Sequence, residues 1–136
     1  MIRRWNPTDL APPIGQYSHL AAVPADHEVV FISGQVGVLA DGTLAGPDAE
    51  SQTRQIFANI ETLLGSLGGG PQQLVKLLTL VSGTEHLAGC RAAREEVFAR
   101  WYPDSDWPAH SLAVVAGLAT PELTVEIEGT AALPRR

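Results

Sequence analysis

Residues 74–81 and 112–118 are apolar on both sides of a two-residue period, and this property narrows the fold more than any other feature of the chain. Successive side chains of a strand point to opposite faces of its sheet, so a strand apolar at nearly every position must be covered above and below. The chain offers only two helices to do this. Residues 49–67 carry Ile56, Ile60, Leu63, Leu64 and Leu67 at the spacing of one helical face, behind Asp48 as N-cap and ahead of Gly68-Gly69-Gly70-Pro71 as stop. From about Thr84 onward, Leu87, Cys90, Ala93, Val97 and Trp101 form a second inward stripe that Pro103 ends. Two helices roof one face of a sheet. The other face is therefore expected to be buried against further copies of the chain.

The remaining strands follow from the same periodicity. Residues 17–23 and 29–38 read as strands, the second interrupted at Ser33-Gly34, where a bulge or a close backbone approach is the usual reason for glycine. Asp41-Gly42 makes a tight turn. In residues 123–131, Val125, Ile127 and Gly129 share one face while Thr124, Glu126 and Glu128 share the other, so two carboxylates stand side by side. The order strand, strand, helix, strand, helix, strand, strand reads as one α/β sandwich domain over residues 1–136, without internal repeats.

Composition removes several functions. Fifteen acidic against nine basic residues give a net charge of −6, which repels a phosphate backbone, and no basic patch offsets it. Nucleic acid is not an expected partner. No run of about 18 apolar residues exists to cross a membrane, and the basic start lacks the apolar core of a signal peptide, so a cytoplasmic protein is expected. The single cysteine, Cys90, has no disulfide partner, and His19, His27, His86 and His110 show no ligand spacing, so no metal site is expected. Ser33 lacks the Gly-x-Ser-x-Gly setting of a hydrolase nucleophile. Gly65-Ser66-Leu67-Gly68-Gly69-Gly70 follows a helix and lacks a terminal Gly-Lys-Ser/Thr, as a helix stop does and a phosphate loop does not.

The pattern alone leaves Glu126 and Glu128 open between a solvated sheet face and a cleft with raised carboxylate pKa values, and His110 open between a structural and a functional histidine. Six fragments bear on the choice: Ala11-Pro12-Pro13-Ile14-Gly15-Gln16-Tyr17-Ser18, Ile32-Ser33-Gly34-Gln35-Val36, the run from Gln52 to Glu61, Leu74-Val75-Lys76, Pro108-Ala109-His110-Ser111, and the run from Val125 to Ala131. In this order and spacing they resemble the RidA/YjgF family. The resemblance spans about residues 11–131. It implies a chorismate-mutase-like α+β fold, a six-stranded mixed sheet with two helices on one face. It also implies a homotrimer with clefts between subunits that bind small polar or carboxylate metabolites, where members hydrolyse 2-imino or enamino acids without a cofactor.

By that resemblance the cleft tyrosine is Tyr17, the cleft serine Ser33 and the water-positioning glutamate Glu126. The motif of Pro108 to Ser111 adds Ser111 to the ligand contacts and carries His110 where the family has an arginine. A guanidinium is always charged and grips both carboxylate oxygens, whereas histidine offers one donor per ring nitrogen. Its loss costs about 1.5–3 kcal/mol of binding, so altered specificity is implied. On the second helix Arg91 takes the position of a cleft asparagine, at the edge of the apolar stripe. It reads either as a flank arginine reaching to water or as the relocated cation. The expected activity is imine or enamine deamination, with Glu126 acting on water and His110 donating to the carboxylate or the leaving nitrogen. The alternative is a metabolite-binding protein without catalysis on the same scaffold.

Overall fold

The computed structural model describes residues 1–136, with six strands and two helices in the order β1 (Arg3–Trp5), β2 (Leu20–Ala22), β3 (His27–Val36), α1 (Ala49–Ser66), β4 (Leu74–Ser82), α2 (Leu87–Trp101), β5 (Ala109–Val115) and β6 (Val125–Pro134). The strands form two sheets rather than one. β3, β6, β4 and β5 make a mixed four-stranded sheet in that spatial order, and β1 pairs antiparallel with β2 beside it. Only β4 and β5 run parallel, joined by the crossover helix α2.

Both helices lie on one face. Ile56, Phe57, Ile60 and Leu64 of α1 and Cys90, Val97, Phe98 and Trp101 of α2 close over Leu77, Val81, Val125, Ile127 and Ala131 of the sheet. Phe57, Phe98 and Trp101 meet at ring-centroid distances of 5.3–6.2 Å, within the range where aromatic pairs attract beyond their area. Asp48 caps α1 by accepting from the Ser51 amide at 2.9 Å. Gly68, at φ 77°, turns the chain out at the far end so that the Gly69 amide reaches the Leu64 carbonyl. Leu63, expected on the inward stripe, is instead 38% exposed. The stripe runs through Phe57 on the other flank.

Four expected strands shift, that of residues 29–38 by two positions to His27–Val36. β5 begins at Ala109 and ends at Val115, instead of spanning 112–118, because its parallel partner β4 runs out at Ser82, leaving residues 116–118 nothing to bond. The strand expected over 17–23 shortens to Leu20–Ala22, since Ser18 turns inward to bond the Trp107 and Pro108 carbonyls. Thr124 lies before β6 and points to α1, where Gln52 holds it, so it does not share the face of Glu126 and Glu128. The bulge at Ser33-Gly34 is present, as a register shift between Ile32 and Gln35. β1 was not anticipated. Arg4 secures it by donating to the Asp106, Gln72 and Leu74 carbonyls at 3.0, 3.0 and 2.6 Å.

The opposite face of the four-stranded sheet has no helix. Phe31 and Val29 of β3 are 81% and 43% exposed there, and Leu78 and Leu80 of β4 are only partly covered.

Candidate functional site

At the free edge of β5, α2 and the loop of residues 14–17 enclose a cavity of about 500 Å³. Tyr17 enters it from the loop, Arg91 and Arg94 from α2, and His110 and Ser111 from β5. Four of the six candidate residues thus converge. A larger cavity, about 780 Å³, opens beside Val29, Val30 and Leu133, where none of the candidates reaches.

His110 and Ser111, adjacent on a strand, leave the sheet on opposite faces. His110 is in register with Leu77 and so turns toward the helices, its ring 6.3 Å from that of Phe98 and its Nε2 2.8 Å from Thr79 Oγ1. Ser111 is in register with Leu78 on the helix-free face, where Lys76 Nζ donates to its hydroxyl at 2.8 Å. Burial first, and then the positive charges of Arg94 and Lys76, together bring the His110 pKa down to about 4. The imidazole is neutral at pH 7.

A depressed histidine pKa has a measurable consequence. Between the unfolded value near 6.5 and about 4, the unfolded chain holds a proton that the folded chain refuses, so stability is full above pH 6.5 and falls as pH drops toward 4. Urea titrations from pH 7 to 4 should show this loss. His110→Gln should remove up to one proton from the slope; an unchanged slope would mean that the imidazole protonates freely in the fold.

Glu126 and Ser33 lie elsewhere. Glu126 projects from β6 on the helix-free face, in register with Leu80 and Val36, and is half-buried, whereas Glu128 is exposed. Its carboxylate lies over the backbone of Gly34, where any Cβ would run into it, so the bulge glycine makes room for the acid. Ser33, next in the bulge, is exposed and lines a separate cavity of about 330 Å³. β3 and β5 are opposite edges of the sheet, three inter-strand steps or about 14 Å apart. Within one chain, no single small ligand can touch both Ser33 and His110.

Arg91 is exposed at the rim of the β5 cavity. Arg94 is more enclosed, and its Nε, like the Gln16 side-chain oxygen of the same cavity, is shielded from water without a hydrogen-bond partner. Neither arginine belongs to any of the ion pairs in the protein. Burial lowers the Arg94 pKa, and the charge of Arg91 adds to this. Sequence reasoning missed both Arg94 and Thr79. The three-residue spacing of Arg91 and Arg94, which puts them on one side of a helix, was the available signal for the former.

The fold has known counterparts. The chain is similar to the Rid-family protein of unknown function YyfB from Yersinia pestis, at 34% identity and a TM-score of 0.84, covering 97% of this chain and 98% of that one. A second Rid-family protein of the same organism, YyfA, matches at 25% identity and a TM-score of 0.66 over 98% and 100% of the two chains. A RutC family protein of Pyrococcus horikoshii is 30% identical over 126 residues, 91% of this chain and 93% of its own. The family described as Endoribonuclease L-PSP matches residues 8–133. With nearly the whole chain so matched, and with two helices roofing one face of a mixed sheet, the protein belongs to the Endoribonuclease L-PSP family, that of the Rid/YjgF proteins.

Proposed function

We propose that this chain is a cofactor-independent hydrolase of small imino or enamino acids, working at clefts between the subunits of a homotrimer. One observation carries the reading: Tyr17, Arg91, His110 and Ser111 gather at one edge of the sheet, while Ser33 and Glu126 gather toward the other. A second copy laid against the β5 edge brings the two halves together. The bare apolar face, with Phe31 81% exposed, supplies the driving force for that assembly.

In the joined cleft Glu126 orients a water and takes its proton as the oxygen attacks the imine carbon. The C=N electron pair moves to nitrogen, which is protonated, and collapse of the tetrahedral adduct releases ammonia and leaves the 2-oxo acid. Ser33, Ser111 and Tyr17 hold the ligand by hydrogen bonds. His110, neutral and engaged with Thr79, contributes one N–H and no charge where the family resemblance calls for an arginine. That difference favours altered specificity, and it is also what a metabolite-binding protein without turnover would show.

Amino acids treated with an amino-acid oxidase, followed for ammonia and oxo acid with and without the protein, separate the two. Faster release from at least one amino acid is expected. No acceleration across the panel would leave the binding reading. The ribonuclease activity named in the family description is opposed by the net charge of −6, and tight RNA binding that weakens steeply with salt would reverse that judgement.

Assembly has its own test. Light scattering should give a trimer mass at micromolar concentration. Phe31→Asp should lower it toward the monomer with unchanged circular dichroism, since the side chain is already exposed in one copy. A trimer that tolerates the aspartate would exclude this face from the contact.

A further inference from the structure

The cavity at the β5 edge holds more positive charge than it needs for its own structure. Arg91 and Arg94 both line it, the one nearby acid is Glu95, and His110 is uncharged. Lys76 adds a further cation at Ser111. A half-buried guanidinium whose Nε is shielded from water and unpaired loses hydration at that atom, which only a partner restores. Arg94 is so placed, and none of the protein's six ion pairs includes it.

We infer that Arg94 is the anchor for the carboxylate of the ligand, and that Arg91, one turn earlier at the rim, receives a second acidic group, so that the cavity selects small dicarboxylates. The guanidinium fork suits this task, since it offers parallel donors to both oxygens of a carboxylate. The sheet supplies what surrounds the anchor. Thr79 holds His110 against the floor of the cavity, so the imidazole presents a hydrogen bond without competing for the anion. The unpartnered Gln16 oxygen stands ready to accept from a hydroxyl or N–H of the same ligand. The inference rests on the proposed function for the identity of the ligand as an imino acid and its oxo-acid product. The binding of an anion does not depend on turnover.

The test is therefore one of binding. Calorimetric titration of the protein with 2-oxoglutarate and with 2-oxobutanoate, one dianion and one monoanion of product type, should give at least tenfold tighter binding of the first. Arg94→Gln should weaken both by about 10–100-fold, the loss of one charge-assisted contact. Arg94→Lys, which keeps the charge and the fold but loses the fork, should fall between. Arg91→Gln should remove the preference for the dianion and leave 2-oxobutanoate within about twofold. Equal affinity of the wild type for the two acids, or an Arg94→Gln protein that binds both as wild type, would overturn the inference. Arg94-dependent binding in a protein that releases no ammonia from any imino acid would instead overturn the catalytic reading and leave this one standing.

Discussion

Gln52→Leu is expected to destabilise the folded chain by about 2–4 kcal/mol. The Gln52 side chain is fully buried and makes four hydrogen bonds: it donates to the Gly46 and Glu122 carbonyls at 3.0 and 2.9 Å, and accepts from the Thr124 amide and hydroxyl at 2.9 Å each. It ties the start of α1 to the segments on either side. Leucine fills similar space but strands the buried Thr124 amide, and each orphaned buried group costs about 1–3 kcal/mol. The loss should appear in urea unfolding at fixed protomer concentration, because the proposed assembly would contribute to apparent stability. Thr124→Val, made alone and together with Gln52→Leu, should show strong non-additivity. A loss below about 1 kcal/mol would mean that water replaces the amide.

The second large effect concerns chemistry. On whichever imino acid the oxidase panel identifies, Glu126→Gln should lower turnover by about 10²–10⁴-fold, the range for a group that moves a proton in the transition state. KM should change far less, since the amide still occupies the space above Gly34 and still accepts a hydrogen bond. Glu128→Gln, on the same face but exposed, is the control and should leave turnover within about twofold. Equal losses in the two variants would point to the charge of the face rather than to one acting carboxylate.

Both variants bear on how far the sequence could be read. The helices were legible because a 3.6-residue apolar rhythm is a local property. The Ser33-Gly34 bulge was legible because glycine weakens a β-branched run unless the backbone must bend or admit a neighbour there. The short strand β1 was not. Three residues carry no period, and what holds them is the long-range bonding of Arg4 to the Gln72, Leu74 and Asp106 carbonyls. The face of His110 was equally hidden, because it depends on the register with β4, which places it opposite Leu77 and within reach of Thr79. Gln52 and Asn59 could be read as parts of a family signature. Their work emerges only in three dimensions, where Asn59 donates to the Val36 and Val38 carbonyls at 3.3 and 3.1 Å and secures the end of β3 to α1. Arg94 looked like one more charge on a helix that also carries Glu95 and Glu96. Its enclosure comes from the loop of residues 14–17, some 80 positions earlier in the chain.

The place of β6 has a consequence for how the molecule is made. It lies between β3 and β4, yet it follows every element it joins. During synthesis, β3 and the β4–β5 pair therefore wait without a common neighbour until residues 125–134 emerge. Contacts so distant in sequence form slowly, because loop closure has to precede them. Through that interval the nascent chain carries an unpaired β3 with Phe31 and Val29 bare, an open template for pairing with another chain. A chain cut before Val125 should behave as a sticky, unfolded polypeptide rather than as a smaller domain, and capture by the last strand is what keeps the whole chain out of that fate.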